Sequence, residues 1–249
     1  MKWLSLLFLP MVCVATSNAM AIEIVMLSAG AVEPALVRVI EDFQHNSGDA
    51  VKVAFAAAPE IGKRLRAGET VDVVLAPPPV LDEMVKGGNA VAGKRVSVGR
   101  IGIGVAVREN APVPKIATVA EFRQSVLDAE SIVYNQASTG IYLAKLFDRL
   151  GIGEQIRAKT TRYPDFAAVL RHVIKGKGNE IGLGATTVIV EGKSKGLKFV
   201  GPLPAEIQNY TTYEAIVVAN SAAMDAAVAW VRYLVSPEAK AIFKAAGIE

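Results

Sequence analysis

Four turns of small residues hold most of the binding chemistry that this chain's spacing offers. Ser28-Ala29-Gly30-Ala31 follows an apolar run and precedes a helical pattern, and Ala56-Ala57-Ala58-Pro59 repeats that arrangement. Ala137-Ser138-Thr139-Gly140 and Tyr163-Pro164-Asp165-Phe166 open two further helices. Small residues at a helix start let backbone N–H groups come close to a bound group, and the helix dipole favours an anion there. In open α/β sheets a ligand sits beyond the carboxyl ends of the strands, so four such turns are expected to line one cleft.

Little else is arranged for catalysis. The two histidines, His45 and His172, fall near the ends of helical patterns, where the dipole favours positive charge. No H-E-x-x-H, G-x-S-x-G or Walker-type loop occurs. Asp72, Asp165 and Glu214 are single carboxylates with no partner that spacing can identify. Residues 22–249 contain no cysteine, which excludes thiol catalysis, disulfides and thiolate metal sites there. The expectation is therefore a binding protein and not an enzyme, with no metal and no cofactor.

The elements that must position those turns alternate between β-rich apolar runs and helical patterns. That order belongs to an α/β chain with mixed, mainly parallel sheets flanked by helices. Residues 22–27 read as a first strand. Leu36, Val39, Ile40 and Phe43 then follow helical spacing after Pro34, and Gly48 ends the helix. Further strands are expected at 51–55, 71–75, 132–134 and 181–183. Thr118-x-x-Glu121 reads as a capping box, and Ser236-Pro237 as an N-cap followed by proline at the first helical position. Residues 101–107 read as a strand crossing from one lobe to another, and 215–219 as the returning strand. The expected lobes are 22–101 with 216–249, and 102–215 between them.

Of the 249 residues, 1–21 read as a removable signal peptide. Lys2 precedes an apolar stretch at 3–14, and Ala19-Met20-Ala21 offers small residues at the cleavage positions. That stretch is shorter than the ~20 residues that span a bilayer. The single cysteine, Cys13, lies within it behind Met11 and Val12, a poor setting for lipidation. Export without disulfides fits a bacterial periplasm. Losing Lys2 lowers the net charge from +3 to +2, and the remaining basic residues are scattered. No nucleic-acid face is expected.

The chain resembles the molybdate-binding periplasmic proteins of ABC importers and their wider solute-binding relatives. The resemblance rests on Leu27-Ser28-Ala29-Gly30-Ala31 with Pro34-Ala35-Leu36, on Leu65-Arg66-Ala67-Gly68 before Val71-Asp72-Val73-Val74, and on Thr139-Gly140-Ile141-Tyr142. It continues in order through Asp165-Phe166-Ala167 and Ile181-Gly182-Leu183 to Tyr233-Leu234 and Ile242-Phe243-Lys244. It implies a two-lobed type II periplasmic binding fold, hinge closure on one ligand, and delivery to an ABC permease in the inner membrane by a monomer.

The same resemblance implies a ligand other than molybdate. Its members hold the oxyanion with two serine hydroxyls, a tyrosine hydroxyl and backbone amides. Here those positions fall on Ala31, Ala58 and Ala185, with the amides on Thr139 and Phe166. A hydrogen bond to a charged group contributes roughly 1.5–3 kcal/mol, so two lost hydroxyls cost about two to four decades of affinity. Ala31, Ala58, Pro59 and Phe166 suit an organic body. Ser28, Thr139 and Thr186 are the candidate hydroxyl donors, Tyr213 the phenol, Gly30 the close-approach turn, and Arg162 the partner for a carboxylate. The expected ligand is a small organic acid or another oxyanion, with a periplasmic sensor that does not transport as the alternative.

Overall fold

The computed structural model describes residues 21–249; the expected signal peptide and Cys13 lie outside these residues, apart from Ala21. The chain folds into two five-stranded sheets of like design. The first holds β1 (Glu23–Ala29), β2 (Ala50–Ala56), β3 (Val73–Ala76), β4 (Ala90–Ile101) and β10 (Thr211–Val218) in the order β2-β1-β3-β10-β4. The second holds β5 (Ile103–Arg108), β6 (Ser131–Asn135), β7 (Thr160–Tyr163), β8 (Glu180–Ala185) and β9 (Leu197–Pro202) in the order β7-β6-β8-β5-β9. In each sheet four strands share one direction and a single strand, β10 in the first and β5 in the second, runs antiparallel between two of them.

Helices follow the parallel strands. α1 (Glu33–Ser47), α2 (Ala58–Arg66) and α3 (Pro78–Lys86) follow β1, β2 and β3, while α9 (Met224–Tyr233) and α10 (Pro237–Ala245) finish the chain. α1 has proline in its first turn and ends at Gly48, whose φ of 80° is one that glycine adopts without strain. Its buried face, Leu36, Val39, Ile40 and Phe43, meets Ile24 and Met26 of β1 and the fully buried Trp230 of α9. The Trp230 indole N–H donates to Met26 Sδ at 3.3 Å, so the largest core residue also satisfies its polar atom.

Between β5 and β9 lie α4 (Val119–Asp128), α5 (Ser138–Arg149), α6 (Gly153–Ile156), α7 (Phe166–Lys175) and α8 (Thr186–Glu191). The capping box at α4 is formed, with Glu121 N–H donating to Thr118 Oγ1 at 3.2 Å and Thr118 N–H returning to the Glu121 carboxylate at 3.2 Å. Phe122, Phe147, Tyr134, Ile132 and Leu143 form the core on one face of the second sheet, and Val169, Val173 and Val133 fill the other.

Several strands depart from the sequence pattern. The run at 101–107 is two strands, broken at Gly102, whose carbonyl accepts Thr186 N–H at 3.0 Å; a Cβ there would stand 3.2 Å from the Tyr210 ring. β4 escapes a search for apolar runs because it is an edge strand with Lys94, Arg95 and Arg100, and Gly93 and Gly99 adopt positive φ. The returning strand begins at Thr211, four residues before the apolar run that signals it, because Thr211 and Thr212 are polar but still pair with β4.

Candidate functional site

A cavity of about 620 Å³ lies where the carboxyl ends of the parallel strands of both sheets meet. Each wall is a strand end turning into a helix. Ala29 ends β1, with Gly30 and Ala31 after it; Ala56 ends β2, with Ala57 and Ala58 after it; and Pro77 follows β3. From the second sheet come Asn135 at the end of β6 with Ala137, Ser138 and Thr139 after it, Pro164 to Ala167 after β7, and Ala185 at the end of β8. Tyr213 of β10 closes the floor.

Four helix starts at this cavity share one property. α1, α2, α3 and α5 all open without a side chain accepting their first N–H groups, as α6, α8 and α9 also do. The first turn of a helix leaves such donors orphaned unless a cap, water or ligand takes them. α7 differs, because Asp165 caps it by accepting Ala168 N–H at 2.8 Å. At α5 the approach is tight: a Cβ on Gly140 would lie 1.6 Å from the Asn135 carbonyl, so the Thr139-Gly140 turn requires glycine.

Of the residues expected from sequence, the structure gathers Gly30, Ala31, Ala58, Thr139, Phe166 and Tyr213 around this one cavity. Four others do not line it. Ser28 is fully buried within β1 and turned toward the Ala29 carbonyl at 3.4 Å, since neighbouring residues of a strand face opposite ways. Pro59 is exposed on the first turn of α2. Arg162 is also exposed, with its guanidinium 5.5 Å from the centroid of the Tyr134 ring. Thr186 does not face the cavity; the buried threonine of α8 is Thr187, also outside the lining, whose hydroxyl donates to the Ala31 carbonyl at 2.6 Å.

Apart from Asp165, charge enters from residues that the sequence pattern did not single out. Glu33, Arg38 and Glu41 of α1, Glu191 of α8 and Lys195 line the same cavity. Helical spacing places Glu33, Val37 and Glu41 on one stripe of α1, but nothing in the sequence tells that this stripe faces a cavity instead of open solvent. Burial holds the Glu33 carboxyl above the ordinary carboxylate range, against the opposing pull of Lys195 and with support from Glu191. Burial also raises the Tyr213 phenol well above its usual value, with Thr211 opposing, so Tyr213 remains a neutral hydroxyl.

Two carboxylates named from sequence prove structural. Asp72, 5% exposed, accepts Val25 N–H at 2.8 Å, Ser221 Oγ–H at 2.6 Å and Ala223 N–H at 3.3 Å. Glu214 pairs with Arg95. His172 bridges Ser131 at 3.1 Å and Tyr163 at 2.9 Å away from the cavity, fastening α7 to β6 and β7. Among the described residues, no three His, Cys, Asp or Glu stand close enough to hold a metal ion.

Comparison with known proteins corrects one expectation. Aconitate isomerase of a Pseudomonas species is 30% identical over 231 residues, which cover 90% of this chain and 86% of that protein. A relative at this distance is an enzyme by name, and this overturns the expectation that the chain is not an enzyme. Lack of a known catalytic motif was a poor guide, because a proton transfer needs only one placed carboxylate. Among solved structures, the periplasmic molybdate-binding protein of Azotobacter vinelandii superposes with a TM-score of 0.77 at 17% identity, covering 91% of this chain and 98% of that one. The sulfate-binding protein SubI of Mycobacterium tuberculosis gives 0.73 at 14% identity, over 91% and 86% of the two chains. These likenesses establish the periplasmic-binding-protein fold. Residues 24–249 match the family described as bacterial extracellular solute-binding protein, and the chain belongs to that family.

Proposed function

We propose that this protein encloses a small polycarboxylate such as aconitate and isomerises it in the periplasm. The observation that carries the reading is one cavity in which uncapped helix starts and a neutral phenol face the same space as a carboxylate of raised pKa, Glu33. Backbone N–H groups at helix starts are suited to hold carboxylates. The alanines at 31, 58 and 185 leave room for carbon where hydroxyls would grip a bare oxyanion. Gly30, Ala31, Ala58, Thr139, Phe166 and Tyr213 are the proposed contacts.

The chemistry needs no cofactor. Aconitate has a methylene next to a carbon–carbon double bond, and both termini carry carboxylates. A base removes one methylene proton, the electron pair spreads over three carbons toward a carboxylate, and the base, after exchanging its proton with solvent, protonates the far carbon. The double bond moves by one position and no atom is gained or lost. Its new geometry follows the conformation in which the carboxylates were held. Glu33 is the proposed base, since a carboxyl raised toward the working pH serves both as acceptor and as donor of the proton.

The test is incubation of the purified protein with cis-aconitate in D2O, followed by NMR. Appearance of the trans isomer with deuterium at carbon is the expected result. Binding seen by thermal shift with no isomerisation would defeat the enzymatic reading.

A second reading is favoured by the family match across 24–249: the protein delivers its ligand to an ABC permease of the inner membrane. Ligand-dependent stimulation of the cognate ATPase in proteoliposomes tests it. Stimulation without turnover would select transport.

A further inference from the structure

We infer that Thr187 is a positioning residue that latches the ligand turn of the first sheet from the second. The inference rests on the reading of the cavity as the ligand site. Thr187 is 2% exposed and lies in the first turn of α8, which belongs with the second sheet. Its Oγ1 donates at 2.6 Å to the carbonyl of Ala31, a wall residue of the cavity in the turn between β1 and α1. The other side-chain hydrogen bonds among the described residues stay within one sheet and its own helices and loops.

The packing around this bond points the same way. Ala185 and Val188, on either side of Thr187, join the hydrophobic core of the first sheet, although β8 and α8 belong to the second. Lys195, just beyond α8, is close enough to Glu33 to lower its pKa. One edge of the cleft is thus seated and hydrogen-bonded. The opposite edge, where α2 faces α5, has no such bond among the described residues. This makes α8 the fixed side of the cleft and α2–α5 the side through which a ligand enters. Thr187 acts on the ligand only through Ala31: it sets where that wall stands, and it can do so only while the two sheets are together.

Threonine and valine have the same shape, so Thr187→Val removes the donor and keeps the packing. Thr187→Ser keeps the donor and removes a methyl. Spin labels at exposed positions 63 on α2 and 145 on α5, with Cys13 replaced by Ser, report the width of the cleft in ligand-free protein. We expect wild type and T187S to share one short distance, and T187V to populate a longer one. The concentration of cis-aconitate that closes T187V should rise about two- to tenfold, the range of one hydrogen bond. A ligand-free T187V distribution matching wild type would overturn the inference, as would a T187S distribution matching T187V. The ligand-free distances need neither binding nor turnover, so they stand or fall apart from the isomerase reading.

Discussion

The ring of Phe166 lies against the backbone of Gly184. A Cβ on Gly184 would stand 2.4 Å from Phe166 Cε2, closer than carbon atoms approach, so the ring occupies the space that any side chain at 184 would fill. Phe166 begins α7 and forms a wall of the cavity, while Gly184 is buried in β8, as is the rest of that strand. The absence of a side chain on one strand therefore sets the position of an aromatic on the neighbouring helix.

Gly184→Ala should push the ring of Phe166 toward the ligand. Overpacking of this kind costs about 1–3 kcal/mol. We expect a modest fall in melting temperature and a larger loss of ligand affinity, with Phe166→Leu in the G184A background recovering part of it. Calorimetric titration with cis-aconitate measures both. Unchanged affinity in G184A would show that the ring is not a ligand wall.

Tyr213 tests the floor of the cavity. It is 4% exposed, and its phenol stays neutral because burial opposes the charged form. Tyr213→Phe removes one hydroxyl and leaves the packing, so affinity for a polycarboxylate should fall about two- to tenfold with melting temperature nearly unchanged. The loss should be the same from pH 6 to pH 9, since the phenol does not ionise in that interval. A loss that varies with pH in that range would remove Tyr213 from the contact set.

How much of this was legible in the sequence depends on how local each signal is. The helix of Leu36, Val39, Ile40 and Phe43, the Thr118–Glu121 cap and the small-residue turns each follow from rules acting over one or two turns of chain. Edge strands such as β4 and β9 pair through their backbones and need no apolar run, so their charged and glycine-rich sequences hid them. Thr139 and Phe166 reached the cavity because helix starts after parallel strands converge. Ser28 and Thr186 failed by one residue each, since which face a side chain takes depends on the register of the whole strand or helix. Glu33 and Lys195 lie far apart in sequence, and only the docking of α8 beside α1 brings their charges together.

Asp72 separates structural from catalytic carboxylates. Its oxygens accept two backbone N–H groups and one hydroxyl, joining β1 to the segment that leads into α9. Asp72→Asn replaces one acceptor oxygen with an NH2 that faces a donor, which costs about 2–4 kcal/mol at a buried site. For a chain of this size that corresponds to a fall of roughly 5–15 °C in melting temperature. Ser221→Ala should cost about 1 kcal/mol. Thermal unfolding followed by circular dichroism measures both; an Asp72→Asn protein as stable as wild type but catalytically dead would reverse the assignment.

The pH dependence of turnover tests the role of Glu33. A base works only when deprotonated, so the acidic limb of kcat/KM should follow the Glu33 pKa, and that limb should lie above the ordinary carboxylate range because burial disfavours the charge. The neighbouring charges then give opposite signs. Lys195 lowers the pKa, so Lys195→Met should move the limb to higher pH. Glu191 raises it, so Glu191→Gln should move the limb to lower pH. Glu33→Gln should abolish deuterium exchange while the thermal shift with aconitate persists, since the amide turns that hold the carboxylates are intact. If Glu33→Gln turns over at the wild-type rate, the proton is moved by another group, and the other carboxylates lining the cavity, Glu41, Asp165 and Glu191, become the candidates.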